Sequence, residues 1–358
     1  MNQYFGCDAH KRYSMFVAMN DRGQTGRPVR VEHSREIFRR FLEALPPGSP
    51  IAIESVGNWY WMIEEMERAG HEPRLAHAGK AKLMMGQINK TDKLDARGLA
   101  LLLRNGTLPS VWIPPGELRD QRELPRMRMS LVHIRTVLKN RIHATLAKYA
   151  LDIAEVSDIF GVTGRKLLQA RLEELPPYTR RSMETQLELL DQLEEHLRTC
   201  EEQIRAVVQA TPEMKLLMTI PGIGQILAVV MAWEIGEITR FPGPDHLASY
   251  AGTVPRVKSS GGKTFFGRVR PDVNRYLKWA LIEAANVVQM NQGHWPNRHV
   301  VRLYQRVRER GGHAKAIVAV SRHLAEAAYW MLRRNEPYQE PQRPISSTQE
   351  KARSSHES

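Results

Sequence analysis

Apolar residues follow two different periods along this chain. Over residues 1–110, short apolar runs of strand length alternate with stretches of helical spacing. "YFGCD" (4–8), "YSMFVAMNDRG" (13–23) and "RPVRVEH" (27–33) predict three strands, the second ending in a turn. "REIFRRFLEAL" puts Ile37, Phe38, Phe41, Leu42 and Leu45 on one side of a helix. "PIAIESV" predicts a short buried strand, "NWYWMIEEMERAG" a helix closed by Gly70, and "EPRLAHA" another strand. "KTDKLDARGLALLL", from Lys90 to Leu103, predicts the last helix of the region. The order β-β-β-α-β-α-β-α implies a mixed sheet with helices packed on it.

Strand signals vanish over residues 117–210. "ELPRMRMSLVHIRTVLKNRIHATLAKY" and "METQLELLDQLEEHLRTCEEQIRAVVQA" predict long amphipathic helices. In the second, Leu187, Leu190, Leu193, Leu197, Ile204 and Val208 recur at spacings near three, four and seven, as in a helical hairpin or coiled-coil arm. A plain long helix against a core is the alternative. Residues 211–338 open with "TPEMKLLMTIPGIGQILAVVMAWEIG", a helix, a tight turn and a second apolar helix. A Gly-, Ser- and base-rich stretch follows, then helices around 271–290 and 312–334. The class expected is α/β plus all-α: a mixed-sheet domain at 1–112, a helical coiled-coil arm at 113–210 and a mostly helical domain at 211–338. Residues 339–358 are polar and are expected to be disordered.

Composition narrows the function. The chain has 358 residues, 42% of them hydrophobic, which is enough for packed cores. Its formal net charge is +13, which points to a polyanionic partner, most simply nucleic acid. A merely soluble basic protein is the plain alternative. Cys7 and Cys200 are the two cysteines, too few for a disulfide framework and without zinc spacing, so a reducing cytoplasm is expected. The start "MNQYFGCDAHKR" lacks an apolar signal core. The longest apolar run, Ile226 to Trp233, is far below the ~20 residues of a membrane span, so no membrane is expected.

Four acids stand out against this charge. Asp8 follows the first strand, and Glu54 closes the strand "IAIE". Asp92 and Asp95, three residues apart, share one side of the last helix of the region. Carboxylates converging from a sheet and a helix repel unless a cation lies between them. Mg²⁺ suits oxygen ligands and leaves positions for phosphate oxygens, and two such ions about 4 Å apart serve phosphoryl transfer. Taken singly, Asp92 also reads as a helix-start acid and Asp8 as a turn acid.

A second constellation runs from Tyr250 to Ala285. Between Thr253 and Lys278, Arg256, Lys258, Lys263, Arg268, Arg270, Arg275 and Lys278 accompany a single acid, Asp272, and Phe265 and Phe266 interrupt the run. Basic side chains contact phosphates and aromatic rings stack on bases. Ser259 and Ser260 precede Gly261 and Gly262, so a serine here can approach a phosphodiester as nucleophile. A flexible Ser-Gly turn beside a DNA-binding helix is the alternative. "IPGIG", with Gly222 and Gly224, looks like the turn of a helix-hairpin-helix, whose amides suit a phosphate.

The order of the acids within residues 1–110 resembles the RuvC-like branch of the RNase H superfamily. With P-G-I-G, then A-G-x-x-P-x-x-x-x-S-G, then G-x-V-x-x-x-x-N-x-x-L, residues 3–338 resemble the DEDD transposases of the insertion-sequence family numbered one hundred and ten. Gly267, seven residues after Ser260, and Asn274 carry the specific part of the match. The resemblance implies that Asp8, Glu54, Asp92 and Asp95 bind Mg²⁺ and that Ser260 forms a covalent phosphoserine with DNA. It implies a bridge or seek RNA, encoded by the element, that pairs with donor and target DNA. It also implies homodimers that pair into homotetramers, the acidic domain of one subunit meeting the serine domain of another. Nucleic-acid contacts carried over or read from composition are Arg256, Lys258, Ser259, Gly261, Lys263, Arg268, Arg270, Asn274, Arg275, Lys278, Gly222 and Gly224. The chain departs from the family at Val273, where many members have glycine, and Ser259 stands beside Ser260 as a second hydroxyl. Two other functions fit the acids or the charge: a junction-resolvase-like nuclease using water, and a non-catalytic nucleic-acid scaffold.

Overall fold

The computed structural model describes residues 3–55, 57–86, 91–269 and 272–341. It divides into two compact units, Met1–Gly116 and Glu117–Ser358.

The first unit runs β1 (Gln3–Ala9), β2 (Tyr13–Asn20), β3 (Val29–Glu32), α1 (Arg35–Glu43), β4 (Pro50–Glu54), α2 (Trp59–Arg68), β5 (Glu72–Ala76), α3 (Ala78–Met85), α4 (Asp92–Arg104) and β6 (Ser110–Val111). The predicted order is present, with α3 and β6 added. The sheet order is β3-β2-β1-β4-β5-β6. β1 pairs parallel with β4 and β4 with β5, while β1–β2, β2–β3 and β5–β6 are antiparallel.

Side chains alternate between the two faces of the sheet. Phe5, Cys7, Phe16, Ile51 and Ile53 face α1 and α2, where they pack with Phe38, Leu42, Met62, Ile63 and Met66. Ile37 was expected with Phe38 and Leu42, but it is 47% exposed. It lies one residue from Phe38, about 100° around the helix, and so falls off the buried stripe. The opposite face is built from small residues. Ala52 and Ala76 pack with Leu99 and Leu102, and Met15 and Val17 with Ala96.

Gly6 lies at the centre of that face, directly beneath α4. A Cβ there would collide with the Ala96 carbonyl oxygen and come within 2.7 Å of the Ala100 amide nitrogen. Both obstacles are helix backbone, so neither can rotate away. Gly6→Ala is therefore expected to lower the stability of this unit by about 3 kcal/mol, the upper range for overpacking, as read from denaturant midpoints. A loss under about 0.5 kcal/mol would contradict the close approach.

The second unit is helical: α5 (Gly116–Gln121) at its boundary, then α6 (Glu123–Lys148), α7 (Val162–Leu172), α8 (Pro177–Ala210), α9 (Pro212–Leu217), α10 (Gln225–Ile235), α11 (Pro244–Tyr250), the hairpin β7 (Pro255–Ser260) and β8 (Lys263–Val269), α12 (Arg275–Met290), α13 (His299–Gly311) and α14 (His313–Arg334). α8 begins six residues before the predicted Met183, and Pro177 in its first turn suits that start. One end of α8 packs in a core with Ile142, Leu146, Leu168 and Leu172, through Met183, Leu187 and Leu190. Its other end joins a larger core through Cys200, Ile204 and Val208. The serine stretch, read as a turn, is a two-stranded hairpin. Gln339–Pro341, expected in the disordered tail, are described, and the Glu340 carboxylate accepts from the His299 amide at 2.8 Å. Residues 342–358 lie outside the described residues. No helix among the described residues is long and apolar enough to cross a membrane.

Candidate functional site

Three side chains converge where β1 ends beside the start of α4. Asp8 shares the α4-facing side of β1 with Gly6, so the absent side chain at Gly6 lets the helix close on the strand. Thr91 caps α4, its Oγ1 accepting from the Leu94 amide at 3.3 Å, which puts Asp92 and Asp95 in the first turn. His10 lies just beyond the strand, two residues after Asp8. Its Nε2 is 3.0 Å from Asp8 Oδ2 and 3.1 Å from Asp92 Oδ2. The His10 backbone is held at both polar groups: its amide donates to Tyr13 O at 2.9 Å, and its carbonyl accepts from Asn58 Nδ2 at 2.8 Å. Tyr13 donates its hydroxyl to Asp92 Oδ2 at 2.7 Å, with the Arg30 guanidinium 3.8 Å over its ring.

The electrostatics of this corner are strained. Burial pushes the Asp8 carboxyl above its usual range, and the charges of Asp95 and Asp92 push it further, while His10 opposes them. Asp8 Oδ2 and His10 Nε2 are buried atoms paired with each other at 3.0 Å. One ligand atom from each of Asp8, His10 and Asp92 falls within 4.8 Å of the others, a group able to hold a metal ion. A buried Asp8 oxygen, the Asp92 carboxylate and the His10 nitrogen gathered at one point are a donor set that a divalent cation fits. Of the predicted acids, Asp8 and Asp92 meet here. Asp95 acts on Asp8 through its charge. Glu54 is half-buried one position beyond the Cys7–Ile53 pair, next to Asp8 on the same face, but is outside the three-residue group. His10 was not foreseen. The signal for it is the period of a strand: Asp-x-His puts both side chains on one face.

The second station is the β7–β8 hairpin. Gly261 and Gly262 have φ of 56° and 75°, the pair of positive values that a two-residue type I′ turn demands. Nothing lies within 4 Å of a Cβ at either, so backbone conformation alone calls for glycine. The register pairs Ser259 with Thr264, Ser260 with Lys263, and Lys258 with Phe265. Ser260 thus shares a face with Lys263 and Phe265, whereas Ser259 faces the other way with Thr264. Ser259, Ser260, Lys263 and Arg256 are exposed, and Phe265 is 61% exposed.

The base of the hairpin is anchored by a buried acid that sequence reading missed. Glu234, 1% exposed, takes a forked pair of hydrogen bonds from Arg126 at 2.8 and 3.0 Å. It also accepts from Asn274 Nδ2 at 2.8 Å. Asn274 Oδ1 caps α12 by accepting from the Tyr276 and Leu277 amides, and its own amide donates to Tyr250 O. Both ends of the hairpin segment are tied together in this way. Arg275 is exposed and Lys278 half-buried on the first turn of α12. The side chains of Lys258, Phe266 and Arg268, and all of Arg270, lie outside the described residues.

The predicted turn at Pro221–Gly224 joins α9 to α10. Gly222 has φ 86°, and a Cβ there would collide with the Ala284 carbonyl oxygen of α12. Gly224 is the N-cap of α10. A groove of about 700 Å³ opens beside this turn, with Arg205, Trp295 and Arg298 among its lining.

Comparison with known proteins gives two family matches. A model described as Transposase, of the DEDD IS110 type, matches residues 5–151, and one described as Transposase IS116/IS110/IS902 family matches residues 214–300. A probable family 20 transposase of Pseudomonas aeruginosa is 28% identical over 265 residues, covering 71% of this chain and 75% of the relative. The transposase for insertion sequence element IS1111A of Coxiella burnetii is 27% identical over 250 residues, covering 70% and 68%. A pilin gene-inverting protein of Moraxella bovis is 32% identical over 143 residues, covering 38% and 43%.

Proposed function

Because this chain belongs to the IS110 family of DEDD transposases, we propose that it exchanges DNA strands at an insertion sequence through a phosphoserine at Ser260. Mg²⁺ is held by Asp8, Glu54, Asp92 and Asp95, and an element-encoded guide RNA pairs with donor and target DNA. The observation that carries the metal part is the convergence of the buried Asp8 carboxylate with Asp92 and His10. Bound there, a divalent ion would neutralise charge on the scissile phosphate.

The rest of the chemistry belongs to the chain's own residues. Ser260 Oγ bonds to phosphorus as one P–O ester bond breaks, and the proton lost by the serine is balanced by protonation of the released deoxyribose oxygen. The phosphodiester energy stays in the phosphoserine, so a second DNA hydroxyl can reverse the step and reseal the strand without a nucleotide cofactor. Lys263 and Arg256 neutralise neighbouring phosphates, and Phe265 offers a face to a base. We read the six-stranded sheet as RuvC-like and the working assembly as a dimer that pairs into a tetramer. The name of the Moraxella relative, a gene-inverting protein, suits a chemistry that rejoins what it cuts.

The test is trapping. Protein, Mg²⁺, labelled element-end DNA and the noncoding RNA flanking the gene are incubated, then denatured. A covalent protein–DNA adduct is expected, and cleavage with no adduct at any time assigns water as nucleophile and overturns the reading. The protein–RNA complex is expected to weaken steeply with salt, because each phosphate contact releases counterions. Protein that ignores the element's own noncoding RNA at low salt is not RNA-guided.

A further inference from the structure

We propose that His10 is itself a ligand of the ion held by Asp8 and Asp92, giving the carboxylate site one nitrogen donor and opening it to Mn²⁺ as readily as to Mg²⁺. This rests on the metal reading above and adds a residue that the four acids do not include.

The distances carry the argument. In an octahedral shell with bonds of ~2.1 Å, neighbouring ligand atoms stand about 3.0 Å apart. His10 Nε2 is 3.0 Å from Asp8 Oδ2 and 3.1 Å from Asp92 Oδ2. Both match the spacing of neighbouring ligands on one ion, and one ligand atom from each of the three residues lies within 4.8 Å of the others. They are also short enough for an ion pair, so His10 already faces both carboxylates with the nitrogen that would bind an ion placed between them. Asp8 is nine-tenths buried, so water is poorly placed to satisfy that oxygen.

The surroundings hold the imidazole and the carboxylate for this task. Asn58 Nδ2 and the Tyr13 carbonyl fix the His10 backbone. The Tyr13 hydroxyl occupies Asp92 Oδ2 at 2.7 Å, the kind of outer partner that orients a ligating carboxylate. The Tyr13 ring centroid lies 4.7 Å from that of His10, which limits how far the imidazole can swing. An imidazole in place of a water or carboxylate shifts preference from Mg²⁺ toward Mn²⁺ and later transition ions, which accept nitrogen more readily.

The experiment uses full-length protein, stripped with chelator and loaded with Mn²⁺ alone. Pulsed electron paramagnetic resonance of bound Mn²⁺ is expected to show nitrogen-14 modulation. His10→Gln should lose that modulation while still binding Mn²⁺, with affinity reduced roughly ten- to a hundredfold. Its affinity for Mg²⁺ should fall less. Asp8→Asn, with an unchanged melting transition, should lose the bound ion. Mn²⁺ bound by the wild type without nitrogen modulation, or modulation that persists in His10→Gln, overturns the role of His10 and leaves the carboxylate site standing. Wild-type protein that binds neither Mn²⁺ nor Mg²⁺ overturns both.

Discussion

Ser260→Ala is expected to abolish the covalent protein–DNA adduct and strand exchange together, while Ser259→Ala keeps both within about tenfold of wild type. Composition cannot separate these two neighbouring hydroxyls, but hairpin geometry does. The positive φ values of Gly261 and Gly262 lock a two-residue turn, and the turn locks the register that pairs Ser260 with Lys263. Adjacent residues on a strand point to opposite faces, and a slip of one would reverse every side chain. Ser259 therefore cannot stand in for Ser260 without unmaking the hairpin. The face that carries Ser260 also carries Lys263 and the exposed ring of Phe265, a cation for the phosphate and a surface for a base.

The two variants should bind DNA alike, since neither removes a charge. The measurement is denaturing electrophoresis of end-labelled DNA after incubation with Mg²⁺, beside a binding assay under the same salt. An adduct that survives in Ser260→Ala would sink the assignment. Equal loss in both serine variants would mean that the turn, and not the nucleophile, had been damaged.

The sheet and its helices were largely legible because their periods differ. Short apolar runs marked the strands, and helical spacing put Phe38 and Leu42 on one side of α1, where both are buried. α3 was missed for a physical reason: Leu83 and Met84 are exposed, so its apolar residues do not form an inward stripe. The hairpin was hidden by its composition. Ser, Gly and Lys read as loop, although two adjacent glycines between strand-length runs are a turn signal.

Within the candidate site, Asp8 and Asp92, the two predicted acids that meet, were singled out because the order of acids along strand, strand and helix resembles a known arrangement. His10 was not, since one histidine near a basic turn carries no signal until a neighbouring carboxylate is seen on its face. Glu234 is the harder case. Alone in "LAVVMAWEIG" it reads as an acid near a helix end, and its partner Arg126 is 108 residues away. Only packing brings them together. That buried pair decides where α12 starts, because Asn274 both caps the helix and donates to Glu234. Part of what holds the serine hairpin therefore comes from α6 and α10, outside the segment that carries Ser260.

Asp8→Asn is expected to reduce DNA strand cleavage about a thousandfold while DNA binding is retained. The substitution keeps the shape of the side chain and removes one of the charges that hold the ion. If the ion contributes roughly 4 kcal/mol to stabilising charge in the transition state, its loss is about three decades in rate. The variant should be no less stable than wild type without metal. Burial and the neighbouring Asp95 and Asp92 raise the Asp8 pKa, so its ionised form is disfavoured in the folded state and a neutral amide relieves that strain. With divalent ion the order reverses. At a hundred times the dissociation constant, binding adds about 2.7 kcal/mol to the wild type and little to the variant. The wild-type melting temperature should thus rise on adding Mg²⁺ or Mn²⁺, and that of Asp8→Asn should stay within about a degree. A variant that cleaves within tenfold of wild type, or that keeps the full metal-dependent shift, would show that the ion is held elsewhere and that Asp8 is only a buried acid at the end of a strand.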